Sequence, residues 1–171
     1  MENIFETLEV FWVIIKSLWW LWLIAFGISL IPIYFRRFER WISKRRAQKW
    51  LEEHRTLEEW KRVGGLEFEE IVAIIFEKLG YKTKIRRNGG IDIIAQKDGK
   101  RIFFQCKNMD RVIPDHVRAF WGSIEAKIKK GEGEKGIFIT TGSFTEGIKE
   151  WVKDKPIELI DGLKLEDLAR N

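Results

Sequence analysis

Between Lys16 and Arg36 lie nineteen residues without a charge, SLWWLWLIAFGISLIPIYF from Ser17 to Phe35. At the helical rise such a run spans roughly 28 Å, close to the hydrocarbon thickness of a bilayer, so it predicts one transmembrane helix. Lys16 is compatible with that helix because a long side chain at its end carries the ammonium to the interface. Trp12, Trp19, Trp20 and Trp22 gather toward one end and Tyr34 and Trp41 toward the other, the depth at which amphipathic rings settle. A cleaved signal peptide fits poorly, because the leading charges are acidic and no small-x-small site precedes Arg36. A buried core helix would need a large protein to hide four tryptophans.

The charges flanking the run set its orientation. Residues 1–35 carry three acids (Glu2, Glu6, Glu9) and one base, residues 36–62 ten bases and five acids, and residues 63–171 twenty bases and eighteen acids. The basic excess therefore lies directly after the apolar run, which places that flank in the cytoplasm and the N-terminus outside. Phe38, Trp41, Ile42, Trp50, Leu57 and Trp60 recur near helical spacing among these charges, so residues 36–62 read as an amphipathic helix along the headgroups or against the next domain. The third segment, residues 63–171, is long enough for one globular domain and nearly balanced in charge, so bulk charge gives no argument for nucleic acid. Cys106 is the single cysteine, which excludes an intrachain disulfide and a cysteine-built zinc site. His54 and His116 stand in no metal-ligand spacing.

After Gly64-Gly65, LEFEEIVAIIFEKLG places Leu66, Val72, Ile75, Phe76 and Leu79 on one helical stripe ending at Gly80. YKTKIRR, GIDIIAQ and RIFFQCK come next as three strands, the last two joined by KDGK, whose Asp98-Gly99 pair signals a tight hairpin. Pro114 and Asp115 open a helix with Val117, Phe120, Trp121, Ile124 and Ile128 on one face; GIFIT, a short helix near Glu146–Val152, IELI and a closing helix complete the chain. The order αβββαβαβα predicts an α/β fold, a mixed sheet covered by helices on both faces.

Several residues in that sheet do not belong in a core. Alternation puts Gln105 and Lys107 on one face of IFFQCK, and in the neighbouring strand Asp92 sits among Ile91, Ile93 and Ile94, where an unpaired charge is costly. The simplest hairpin register brings Asp92 and Lys107 to the same open end, and Glu69 on the preceding helix adds a second carboxylate. Carboxylate and amide oxygens are hard ligands suited to Mg²⁺, which takes one or two protein carboxylates and keeps several waters. Phosphodiester cleavage uses such an ion to activate water, and a lysine to orient the nucleophile or stabilise developing charge. Taken singly, Asp92 reads equally as a turn residue, Lys107 as a strand-end lysine and Glu69 as a solvated helix residue; it is their conjunction that points to chemistry.

The motifs GLEFEE (Phe68, Glu69), LGY (Leu79–Tyr81), GGID (Asp92), QCK (Gln105, Lys107), TTGSFT (Thr140–Thr145) and IDGLKL (Ile160–Leu165) resemble, in order and spacing, the Mrr-type restriction endonucleases, a branch of the PD-(D/E)xK nuclease superfamily. The resemblance covers about residues 64–168 and implies a three-layer α/β/α restriction-endonuclease-like fold. It implies hydrolysis of DNA with Mg²⁺, or Mn²⁺ in its place. Glu69, Asp92, Gln105 and Lys107 would be the catalytic set, with Asp92, Gln105, the backbone carbonyl of Cys106 and Glu69 around the metal and Lys107 acting at the transition state. The superfamily's usual acid is replaced by Gln105, as is common in the Mrr branch.

DNA contacts are expected from Lys82, Lys84 and Arg86 on one face of the first strand, with Arg87 beside them, although edge-strand lysines also serve to block unwanted pairing. Thr140, Thr141 and Ser143 offer hydroxyls to phosphate, or equally form a plain turn and helix cap. The leading expectation is a single-pass membrane protein with a cytoplasmic Mg²⁺-dependent DNA endonuclease domain, its partners being DNA and the lipid bilayer, with a homo-oligomer left open. The alternative is a catalytically silent nuclease-like domain that binds DNA or a protein at the membrane; a structural membrane protein is the third reading.

Overall fold

The computed structural model describes residues 2–54 and 56–170; the side chains of residues 2–11 and of several later positions, including Leu18, Ile33 and Arg87, are outside the description. The chain divides into two compact units, Met1–Ser43 and Lys44–Asn171.

The first unit is the leading part of one helix, α1 (Glu2–Glu53), which contains Pro32. Trp19, Trp20, Trp22, Ile24, Phe26, Ile28 and Phe35 are all exposed, so apolar side chains surround the axis instead of forming one stripe. Among the described residues no helix is long and apolar enough to cross a membrane, and the expected spanning helix is not borne out there. The run Ser17–Phe35 is helical throughout, yet it includes Leu18 and Ile33, whose side chains lie outside the description.

The expected boundary at Phe35 also moves. α1 continues without a break to Glu53, and its residues from Lys44 onward belong to the second unit. There Leu51 is buried, and α2 (Leu57–Trp60) delivers Trp60, fully buried, with its indole N–H donating to the His54 carbonyl at 3.0 Å. Trp50, Leu57 and Val63 pack against the same cluster. The end of the segment read as a juxtamembrane helix is therefore core of the second unit, because its large apolar side chains find a partner surface there.

α3 (Gly65–Lys78) buries Phe68, Ile71, Val72, Ile75 and Phe76. Leu66, expected on that stripe, is exposed, since it sits in the first turn ahead of the packed face. β1 (Lys82–Asn88), β2 (Ile91–Lys97) and β3 (Lys100–Lys107) form the expected antiparallel meander. Asp98 and Gly99, at φ 52° and 77°, make the tight turn between β2 and β3. α4 (Pro114–Lys129), β4 (Lys135–Thr140), α5 (Glu146–Val152), β5 (Ile157–Ile160) and α6 (Gly162–Arg170) complete the unit. The sheet order is β1-β2-β3-β4-β5, with β4 and β5 parallel to β3.

This mixed five-stranded sheet carries a hydrophobic cluster on each face. Ile93, Ala95, Ile102, Phe104, Cys106, Ile137 and Ile139 join α3, α6 and the α1–α2 residues on one side. Phe103 and Phe138 join Val117, Phe120 and Ile124 of α4 and Ile148 of α5 on the other. The strict alternation along β3 and β4 makes both strands apolar on two faces, as expected of central strands between helical layers.

Candidate active site

The site begins at a turn. Gly89 and Gly90 adopt φ 62° and 76°, and a Cβ on Gly90 would lie 2.5 Å from the Ser123 hydroxyl of α4. Only glycine is unstrained in this conformation and at this distance. The turn feeds directly into Ile91 and Asp92, so β2 starts pressed against α4.

The hairpin register then fixes Asp92. Ile93 pairs with Phe104, which places Asp92 beside Gln105 at the end of the ladder. There Asp92 Oδ2 accepts two hydrogen bonds, from Gln105 Nε2 at 2.5 Å and from the Cys106 backbone N–H at 2.8 Å. The side chain takes the place of a strand carbonyl as acceptor where β2 and β3 part, which answers the cost of a carboxylate among isoleucines. Lys107, two residues beyond Gln105, lies on the same face.

Asp92, Gln105 and Lys107 line one cleft with Glu69, which α3 presents half-buried beside Leu66. Its volume is about 420 Å³. The opposite wall is α4, with His116, Ala119, Phe120 and Ser123. All four side chains expected to form the site thus meet in one place. Cys106 turns its thiol into the core on the other face, where burial first, and then the Asp92 and Glu69 carboxylates, push the thiol well above its ordinary pKa. The sulfur thus sits in the core, on the sheet face away from Asp92, Gln105 and Lys107.

The oxygens expected around a cation are the Glu69 and Asp92 carboxylates, the Gln105 amide oxygen and the Cys106 carbonyl; the first three side chains line the cleft, together with the His116 ring. Among the described residues no group of three or more His, Cys, Asp and Glu side chains gathers to hold a metal. Two carboxylates with neutral oxygens fit a hard ion that retains waters, and not a closed structural site. As it stands, the Gln105 amide nitrogen faces Asp92. An amide turned over would set Oε1 beside the carboxylate, an arrangement that needs a cation between them.

The predicted DNA contacts divide. Lys82, Lys84 and Arg86 are exposed on β1, an edge strand; Lys82 pairs with Gln96 and Lys84 with Ile94, so these two share the sheet face of Asp92 and Gln105, while Arg86 falls in the register shift between Ile85 and Asn88. The Arg87 side chain lies outside the description. Ser143 is exposed. Thr140 and Thr141 must be corrected: both are buried, the Thr140 hydroxyl donating to Met109 O at 3.0 Å and the Thr141 hydroxyl to Asn108 Oδ1 at 2.6 Å, so neither is available to phosphate.

Two residues of the site lie outside the expected set. Asn108 comes directly after Lys107 and donates from Nδ2 to the carbonyls of Trp60, Lys61 and Val63 at 3.1, 3.3 and 2.7 Å, tying the loop ahead of α3 to the end of β3. His116 has no metal-ligand spacing, yet it lines the cleft; its place in the turn opened by Pro114 is the signal the sequence offers.

The model of a restriction endonuclease family, Mrr_cat, matches residues 60–169. No curated protein matches. Among solved structures, a protein of unknown function, AF1548, is similar at 22% identity and a TM-score of 0.47, over 57% of this chain and 62% of that one. The MspJI restriction endonuclease in complex with a 27-mer oligonucleotide is similar at 19% identity and 0.41, over 74% and 30%. Protein VC1899 from Vibrio cholerae is similar at 15% and 0.48, over 62% and 32%. The chain thus spans less than two thirds of each.

Proposed function

From the premise that the chain belongs to the Mrr-type restriction endonuclease family, whose model matches residues 60–169, we propose that it is a metal-dependent DNA endonuclease, with Mg²⁺ or Mn²⁺ as the ion. The observation that carries this reading is the convergence of Glu69, Asp92, Gln105 and Lys107 on one cleft, with the acid already oriented by two donors. Glu69, Asp92, Gln105 and the Cys106 carbonyl would hold the ion, which when bound supplies an acidified water and a positive charge against the phosphoryl oxygens.

The chain's own residues do the rest. The Gln105 amide and the Cys106 N–H hold the Asp92 carboxylate in place at the cleft. Lys107, on the same face, presents an ammonium to the nonbridging oxygens as charge builds in the transition state, or holds the attacking water by donating to it. Lys82 and Lys84 extend a basic stripe along the same sheet face, with Arg86 exposed beyond them, and neutralise flanking phosphates without reading bases.

The nuclease is further proposed to be held at the cytoplasmic face of a membrane. Supporting this are the exposed indole and aliphatic side chains between Trp12 and Phe35 of α1 and the basic excess beyond Phe35. Carbonate-resistant sedimentation with membranes, and protease access to a tag before Glu2 in sealed cells, test attachment and whether the N-terminus reaches the outside.

Catalysis is tested with the full chain in detergent on supercoiled plasmid, with Mg²⁺ or EDTA, beside Asp92→Ala and Lys107→Ala. Nicking that needs the divalent ion and is lost in both variants is expected. Equal behaviour of all three proteins, with DNA binding retained, would instead identify a catalytically silent binding domain.

A further inference from the structure

The wall of the cleft contributed by α4 is chemically sparse. Ala119 and Phe120 have no polar side-chain atom, and the Ser123 hydroxyl is spent on the Ala119 carbonyl at 3.0 Å. His116 remains. Its Nδ1 is buried without a hydrogen-bond partner, while the ring borders the cleft. The nitrogen that an occupant of the cleft would meet is therefore Nε2, across from Asp92, Gln105 and Lys107. His116 also stands in the first turn of a sixteen-residue helix, whose positive end favours an anion.

Resting on the nuclease reading above, we infer that His116 is a further substrate-contacting residue, its Nε2 donating a hydrogen bond to a phosphate oxygen of the DNA strand in the cleft. Lys107 engages the strand from the sheet side; His116 engages it from α4. A second contact from the opposite wall adds grip on the strand equally before and during the reaction. A hydrogen bond to a charged phosphate is among the stronger kinds, and its loss is expected to weaken DNA binding about tenfold or more.

The position of the donor makes the inference testable. A glutamine amide reaches the place of Nε2, whereas an asparagine amide reaches only that of Nδ1. Full-length protein in detergent is compared with His116→Ala, His116→Gln and His116→Asn. Affinity for a short labelled duplex is measured with Ca²⁺ in place of Mg²⁺, and plasmid cleavage and thermal midpoint with Mg²⁺. The expected result is a Kd and KM raised about tenfold in the alanine and asparagine variants, restoration by glutamine, and kcat and melting changed little. Unchanged Kd and KM in His116→Ala, or rescue by asparagine as good as by glutamine, overturns the inference. If the wild type binds but does not cut, the catalytic reading fails while the Kd series still decides His116; if it binds no DNA, both fall.

Discussion

Replacing Asn108 with alanine tests whether the loop before α3 is truly fastened to the end of β3. Two N–H protons of the amide serve three carbonyls, with Val63 at 2.7 Å the shortest, and its oxygen accepts from Thr141, whose side chain is 1% exposed. Losing the donated bonds costs about 1 kcal/mol for each of the two amide protons, and stranding the buried Thr141 hydroxyl about 1–2 kcal/mol more, for a total of about 3–4 kcal/mol. In a unit the size of Lys44–Asn171 that corresponds to a fall in melting midpoint of roughly 10 °C. Urea unfolding at constant slope gives the free energy, and a cycle with Thr141→Val isolates the pair, expected to couple by about 1 kcal/mol. Because the fastened loop leads to Glu69 and the anchor adjoins Lys107, cleavage by the still-folded variant should fall further than its folded fraction does. A variant within about 1 kcal/mol of wild type, or no coupling to Thr141, would show that these contacts do not hold the loop.

Gln105→Glu sets a carboxylate where an amide now donates to Asp92 at 2.5 Å, so the metal-free protein should lose about 1–3 kcal/mol and regain it with Mg²⁺; thermal shift with and without the ion reads this, and no ion-dependent recovery refutes the oxygen donor set. Gly90→Ala at φ 76° forces a methyl onto the Ser123 hydroxyl and should cost about 1–3 kcal/mol, part of it relieved by Ser123→Gly in a double variant. The Cys106 thiol has a folded pKa raised by burial, so the unfolded chain releases its proton first: stability should be level below about pH 8.5 and decline as pH rises above it. Urea midpoints between neutral and alkaline pH, compared with Cys106→Ala, isolate that slope; an identical alkaline decline in both proteins would remove the thiol as its source.

Much of the site is legible in the sequence because one short turn propagates. Asp98-Gly99 permits few geometries, so the pairing of Lys97 with Lys100 fixes every rung back to Ile93 and Phe104, and the side-chain period does the rest for Asp92, Gln105 and Lys107. Glu69 is placed by the helical stripe of α3. The features that stay hidden depend on partners distant in sequence. Thr140 and Thr141 look alike whether they face solvent or Asn108 and Met109, and the carbonyls that occupy Asn108 lie more than forty residues upstream. His116 is placed by how α4 seats on the sheet, which no local period encodes. The end of α1 is ambiguous in sequence because tryptophans among charges look the same beside lipid and beside a protein core.

The double hydrogen bond on Asp92 bears on how such a scaffold ages. A carboxylate that accepts from an amide and a backbone N–H has part of its burial cost offset before any ion arrives, so the chain can mature before any metal is loaded. Substitutions elsewhere in the cleft leave this internal clasp untouched, so a descendant without the proposed turnover would keep its shape and could be recruited for grip alone.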